Sequence, residues 1–401
     1  MANTKGIGAS LPVVFDNAFK GHNLDGTHGL VTIKGLGGVA GNAVVFLGGA
    51  TDGCYTTLQA AINALPASGG TVYILPGYTE NITASIVPVA DCAIICPTRD
   101  AVITDTVGTL TTGAIQAYSG TTGTDRVTIY GVNFTESGAG TTSVGVFARY
   151  APENWRIEEC TFTNFSRGIQ AVLAIGANGF VDTLIKRCIF TNCINDAIFV
   201  TGFNRVLIDE CRAYGGGTCD YGFSLSGLSR DVTFRKCYAM NMQYDGFRAT
   251  SYWGLYGNNV FDDCVAYDNN RYGFNLYGNA TAFRFPFILR TCRAELNSQH
   301  GFIFQGYNGK DCRAICTACV AVDNSYLTAN GFSGFYLAAT CDRIELIGCR
   351  AYKQARSEQK YGFEVVAGAT KCEIRGGRWS PNQTGAWLDN GTDTILDCRD
   401  D

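Results

Sequence analysis

Three aspartates, Asp196, Asp220 and Asp245, stand just ahead of an Ala-Ile or Gly-Phe pair at comparable places in successive repeats of the sequence. Stacked on neighbouring turns about 4.8 Å apart, adjacent carboxylates reach the separation of a retaining glycosidase pair, and Asp196 with Asp245 that of an inverting pair. Arg271 and His300 occupy comparable places on the next two repeats, so one strip offers acids, a cation and an imidazole. Aspartate is also an ordinary turn residue whose carboxylate stays solvated, and that is the alternative reading of all three. Beside them, outward positions run Gln170, Phe199, Ser224, Arg248, Asn275, Ile303, Tyr336 and Glu364, followed two residues later by Thr250, Tyr277 and Gln305. Aromatic rings mixed with polar groups suit sugar rings, whose apolar faces stack while their hydroxyls hydrogen-bond. The same mixture suits a subunit contact, where Tyr, Phe and Arg are enriched. The candidate acid–base residues are therefore Asp196, Asp220 and Asp245; the candidate ligand-binding residues are Arg248, Arg271, Asn275, Tyr277, His300, Gln305 and Tyr336.

Two columns in step explain why these residues align. One runs Cys160, Cys188, Cys211, Cys237, Cys264, Cys292, Cys319 and Cys349, with Val132 and Gly377 continuing it. The other runs Gly145-Val146, Gly168-Ile169, Ala197-Ile198, Gly222-Phe223, Gly246-Phe247, Gly273-Phe274, Gly301-Phe302, Gly334-Phe335 and Gly362-Phe363. The period lies in the range of repeat architectures. Each repeat holds alternating runs such as Arg205 to Cys211 and Tyr221 to Ser226, separated by Gly, Asn and Asp turns, which are strand signals with no helical period between them. Such a repeat cannot bury its apolar face alone, so coils must stack and pair their strands in parallel. The expectation is an all-β parallel β-helix of about 11 coils, its interior built of ladders such as Phe223 to Phe363 and Leu225 to Val365. Asn164, Asn192, Asn241 and Asp268, and then Asn269, Asn297 and Asn324, predict amide stacking at a turn.

Composition narrows the rest. With 46% hydrophobic and 16% charged residues the chain can bury a core, and a net charge of −4 over 401 residues is no footprint for nucleic acid. No run of eighteen apolar residues could insert into a membrane, and Met1 to Gly8 lacks the apolar core of a secretory signal, so synthesis in a cytosol is expected. Of the 18 cysteines, those of the column read as reduced, buried, small hydrophobes, because in-register Cβ vectors run parallel and suit a disulfide badly; among the others, a bridge such as Cys312 to Cys341 or Cys372 is the alternative in an oxidising environment. Cys312, Cys316, Cys319 and Cys341 have spacings that hint at metal, but in an unbroken strand Cys316 and Cys319 point to opposite faces. No metal and no cofactor are expected. Residues 1–50 do not fit the repeat and read as a small β-rich head, with strands at Leu11–Phe15 and Gly29–Lys34. The stretch Gly35 to Ala40 mimics a dinucleotide fingerprint, but Asn42 to Leu47 reads as a strand where that motif needs a helix.

Residues 51–401 then form the β-helix, beginning with a capping helix near 55–65. There Leu58, Ala61, Ile62 and Leu65 make one apolar stripe, ended by Pro66 and Gly69-Gly70. The helix, followed by Gly69-Gly70-Thr71-Val72-Tyr73-Ile74-Leu75-Pro76-Gly77-Tyr78 and the runs Cys92 to Ile95 and Ala101 to Ile103, resembles the N-terminal part of pectate-lyase-like right-handed β-helix proteins, phage tailspikes among them. The family's Gly-Gly-x-Val-x-x-Pro-x-Gly-x-Tyr pattern is one residue tighter here. The resemblance covers about residues 50–398 and implies the fold; it does not choose among lyases, hydrolases, epimerases and binding-only spikes. The Asn-Thr-Asp, Gly-His-Gly and Arg-Ile-Lys motifs of polygalacturonase-like members are absent, and Gln299 stands before His300 where they carry glycine.

The expectation is a virion-surface protein of tailspike or fibre type that binds host-surface polysaccharide, as a homotrimer, attached through residues 1–50 to other virion proteins. Little room for a separate trimerisation domain follows Ile395 to Cys398. The alternatives are a polysaccharide lyase or glycoside hydrolase working through the three aspartates, and a structural virion component with no glycan ligand.

Overall fold

A computed structural model describes residues 43–48, 54–106, 113–119, 122–137, 142–171, 179–227, 229–250, 258–278, 286–306, 312–325, 331–354, 359–380, 382 and 384–400. The strands expected at Leu11–Phe15 and Gly29–Lys34 and the stretch Gly35 to Ala40 lie outside these.

The described chain is an all-β parallel solenoid of about 11 turns. A typical coil contributes three short strands, each pairing in parallel with its counterpart one coil on; the exception is the antiparallel pair of Tyr118–Ser119 with Thr122–Gly123. The first sheet takes strands such as Asn204–Asp209 and Arg230–Arg235, and the second Arg212–Tyr214 and Tyr238–Met240. The third is a separate 11-stranded sheet that includes Asp196–Thr201, Tyr221–Ser226, Asp245–Thr250, Phe274–Gly278 and Phe302–Gly306.

Register is set from inside. Phe223, Phe247, Phe274, Phe302 and Phe335 are fully buried and stack nearly parallel, with centroids 5.1, 4.7, 4.8 and 4.6 Å apart; Phe363 is in register above them. Leu225, Ala249, Leu276, Phe304, Leu337 and Val365 form the second expected ladder. A slip of one residue would turn every one of these side chains outward, and burying each phenylalanine contributes about 1.5–3 kcal/mol. Glycine precedes the phenylalanine because the coils close in there: a Cβ on Gly273 would lie 2.6 Å from the Gly301 carbonyl oxygen and 2.7 Å from the Ala294 Cβ.

The cysteine column sits at the corner between the first two sheets. The residue before each cysteine takes the left-handed conformation, as at Glu159, Arg187, Glu210, Lys236, Asp263, Thr291, Ala318 and Gly348. Left-handed backbone costs about 1–2 kcal/mol for most side chains. Here each such N–H donates to a carbonyl of the neighbouring coil, as from Lys236 to Asp262 at 2.8 Å. The bend at Ala318 also lets Cys316 and Cys319 both point inward, where an unbroken strand would have separated them. The 17 cysteines from Cys54 to Cys372 are buried free thiols, and among the described residues no group of three His, Cys, Asp or Glu could hold a metal ion.

At the corner before the third sheet, the two expected asparagine sets part ways. Asn164, Asn192, Asn241 and Asp268 supply left-handed corner residues. The amide ladder belongs to the other set: Asn269 Nδ2 donates to Asn297 Oδ1 at 2.8 Å, and Asn297 Nδ2 to Asn324 Oδ1 at 2.9 Å. Gln359 and Asn382 carry the ladder onward.

The helix expected over 55–65 forms as the short helix Leu58–Asn63, capped by the Thr57 hydroxyl, with Leu58, Ala61 and Ile62 buried against the first coils. The strand expected at Asn42 to Leu47 forms as Ala43–Leu47. It pairs with Gly70–Ile74 in parallel, so this part of the segment assigned to the head belongs to the first sheet of the solenoid. No described helix is long and apolar enough to cross a membrane.

Candidate functional site: an aromatic and guanidinium strip on the third sheet

The outer edge of the third sheet gathers the candidate residues, in two staggered columns. Asp196, Tyr221 and Asp245 are register partners, each two residues before its ladder residue. Asp220 lies one residue earlier, in a second column with Tyr244, Arg271 and Gln299. There the Tyr244 N–H donates to the Asp220 carbonyl, Arg271 to Tyr244, and Gln299 to Arg271. The three aspartates therefore do not make the single row that their place before the Gly-Phe pairs implied. Ile198, Phe223 and Phe247 fix the register, and Asp220 is three residues from its ladder residue while the other two are two away.

Two of the aspartates are locked. Asp196 is 3% exposed, accepts from Arg167 Nε at 2.9 Å and from the Ser224 hydroxyl, and burial raises its pKa against the pull of Arg167. Asp245 is fully buried. It takes a bidentate pair from Arg271, 2.7 Å at each oxygen, and a third bond from Asn275 Nδ2 at 2.9 Å. Burial works against the Arg271 charge, but the bonds from Asp245 outweigh it and hold that guanidinium above its ordinary pKa. Asp220 is different. Half-buried, it has no side-chain hydrogen bond among the described residues, and burial followed by the charge of Asp196 raises its pKa.

The expected ligand-binding residues fall on the same face. Arg248 lies over the Tyr221 ring at 4.5 Å, and Arg271 lies over both Tyr244 and Tyr272 at 4.9 and 5.0 Å. Asn275 is buried and links Asp245 to Gln305, whose Nε2 donates to it at 2.9 Å; Tyr277 is half-buried between Thr250 and Gln305 in register. His300 is 6% exposed, with its ring 4.2 Å from Tyr336, 5.8 Å from Tyr272 and edge-on to Phe332. Its Nδ1 accepts from the Ser333 N–H at 2.9 Å, and burial lowers its pKa to about 3, so it is a neutral imidazole with the proton on Nε2.

Sequence reasoning passed over Arg167, Tyr221, Tyr244 and Tyr272, which supply half of the strip. Phe199 under Arg167 at 4.9 Å, and Tyr361 beside Lys360 at 5.1 Å, extend it to both sides. The signal that could have found them is a Tyr or Arg two or three residues before the ladder residue, the same offset that singled out the aspartates.

Residues 114–286 match the family model for a right handed beta helix region. No curated protein matches the sequence. Among solved structures the chain is similar to the A-module of mannuronan C-5 epimerase AlgE6 from Azotobacter vinelandii, at 14% identity and a TM-score of 0.55, over 84% of this chain and 93% of that one. It is equally similar to the Dettilon tailspike protein, at 14% identity and 0.55, over 82% of this chain and 64% of the tailspike. The Agl-KA catalytic domain follows at 12% and 0.54, over 85% of this chain and 65% of that domain. At these identities the likeness is one of fold. The chain has the fold of a right-handed parallel β-helix.

Proposed function

We propose that the third-sheet strip binds polysaccharide, and that the protein is a tailspike- or fibre-type β-helix that attaches a virion to a host-surface glycan. The observation that carries this is the run of ring and guanidinium planes on one face, from Phe199 and Arg167 to the linked series Tyr221, Tyr244, Arg271, Tyr272, His300 and Tyr336. Over the seven strands from Arg167–Ala171 to Phe335–Leu337 it extends roughly 29 Å at about 4.8 Å per coil. A long, flat platform of this kind fits an extended polymer of rings better than a compact metabolite, which needs a concave pocket. The fold shared with a tailspike and with an epimerase module that acts on mannuronan supports the same reading. Particle attachment and a homotrimer belong to this proposal.

One observation favours an enzyme as second reading: Asp220 alone of the three acids is unpaired among the described residues, and its raised pKa suits a proton donor. Lyase or hydrolase chemistry would then rest on Asp220, with Asp196 and Asp245 as supports. Incubating the protein with a panel of bacterial surface and acidic polysaccharides, while measuring binding, chain length and unsaturated products together, tests both. Binding without shortening is expected. Shortening that Asp220→Asn abolishes establishes the enzyme, and no binding to any member of a broad panel refutes the polysaccharide reading.

A further inference from the structure

Three of the four cations of the strip are satisfied internally: Arg167 by Asp196, Arg271 by Asp245 and Lys360 by Glu364. Arg248 is not. Among the described residues it makes no ion pair and no hydrogen bond, and its one close partner is the Tyr221 ring. A guanidinium over a ring keeps its in-plane N–H groups free, and that planar fork matches a carboxylate in bidentate geometry. Asp220, the other unpaired charge, is its counterpart: Asp196, Arg167, Arg248 and Arg271 are the charged groups that act on it.

Building on the polysaccharide reading, we infer that Arg248 and Asp220 make the strip selective for acidic polysaccharides: Arg248 pairs with the carboxylate of a uronic-acid unit, and Asp220, when protonated, donates a hydrogen bond to the same unit. Tyr221 and the 36%-exposed Tyr244, their rings 5.7 Å apart, hold the Arg248 and Arg271 guanidinium groups beside the place that unit would occupy. The balance of charge agrees. With Asp220 protonated, the Arg167–Asp196 and Arg271–Asp245 pairs cancel and Arg248 is the one uncompensated charge of this part of the strip. Ionising Asp220 cancels Arg248 as well and adds repulsion toward the ligand. Burial and Asp196 raise the Asp220 pKa, which widens the pH range over which the acid is present. Affinity for an acidic glycan therefore falls as pH rises through the folded-state pKa of Asp220.

The test uses the full chain and matched ligands: polygalacturonate and alginate, each beside its carboxyl-reduced form, with dextran sulfate to separate carboxylate from general anion binding. Wild type should bind at least one carboxylated polymer about tenfold or more tighter than its reduced form, the worth of one charge-assisted pair. Arg248→Gln should bring the two affinities together, and Arg248→Lys, which keeps charge and loses the fork, should fall between. Asp220→Asn should flatten the pH dependence, and thermal melts establish that each variant is folded. Equal affinity for acidic and reduced forms in wild type, a preference that survives in Arg248→Gln, or stronger binding to dextran sulfate than to both carboxylated polymers overturns the inference and leaves polysaccharide binding standing. Failure to bind any of the polymers overturns both.

Discussion

Arg271 and Asp245 are in contact but not equivalent, and the difference is measurable. Asp245 is fully buried, whereas the Arg271 side chain is 30% exposed and reaches water. Replacing Arg271 with Gln leaves a buried carboxylate with only the Asn275 amide and the Tyr272 N–H, the latter at 3.4 Å. Removing one partner of a buried pair in this way costs about 3–5 kcal/mol. Replacing Asp245 with Asn leaves the opposite orphan, a guanidinium that can turn to solvent and that lies over Tyr244 and Tyr272. Its expected cost is about 1–2 kcal/mol, a lost charge-assisted bond without a stranded charge. The double variant should recover part of the Arg271→Gln loss, since no buried charge is left unpaired. Because a solenoid need not unfold in one step, the readout is hydrogen exchange of the strands Asp245–Thr250 and Phe274–Gly278 alongside the urea midpoint. If Asp245→Asn costs as much as Arg271→Gln, or the double variant is no better than the Arg271 single, then Asp245 is not a carboxylate held in place by its arginine, and the structural role assigned to it here is wrong.

His300 supplies a pH dependence. Its folded pKa of about 3 lies below the ordinary histidine value of about 6.5, so the unfolded chain binds more protons between the two. The stability it contributes is complete above the upper value and is lost as pH falls toward the lower; thermal melts from pH 7 to 4 should decline less steeply in His300→Phe, and an unchanged slope refutes this. Asn297→Ala removes the acceptor of the Asn269 backbone and side-chain N–H groups and the donor to Asn324 and Ala266. At roughly 1–3 kcal/mol per stranded buried group, it should cost several kcal/mol in chemical denaturation, against little for the exposed Asn270→Ala. Gly273→Ala should destabilise by more than the ~1 kcal/mol typical of a point substitution, because its Cβ would press on backbone as well as on Ala294; a neutral melt would show that the coils can move apart there.

Most of the fold was legible because a stacked solenoid repeats the same local demand in every coil. The Phe223 to Phe363 ladder, its partner from Leu225 to Val365 and the cysteine column stand in the sequence as columns, and they stand in the structure as columns. The corner ahead of each cysteine was harder to see. It is occupied by Glu, Arg, Lys, Asp, Thr, Ala or Gly, so residue type carries no signal; the left-handed backbone is held by hydrogen bonds between coils. The strip was half legible. Asp196, Asp245, Arg271 and His300 were singled out by their place two or three residues before the ladder, and Arg248 as an outward strand position, while Tyr221, Tyr244 and Tyr272 share the first of these places and went unread. The one-residue offset of Asp220 was also present in the sequence, in Asp220-Tyr221-Gly222-Phe223 beside Asp245-Gly246-Phe247.

By itself the amino-acid order determined the period, the inward and outward parity of each strand and hence the ladders, because side-chain alternation and the need to bury one face are local properties repeated along the chain. Only the tertiary structure decided which charges are spent on one another. Asp196 finds Arg167 and Asp245 finds Arg271 across 29 and 26 residues, whereas Arg248 and Asp220 find no such partner among the described residues. That division depends on stacking coils at one register, within hydrogen-bonding reach, and no spacing within a single repeat contains it.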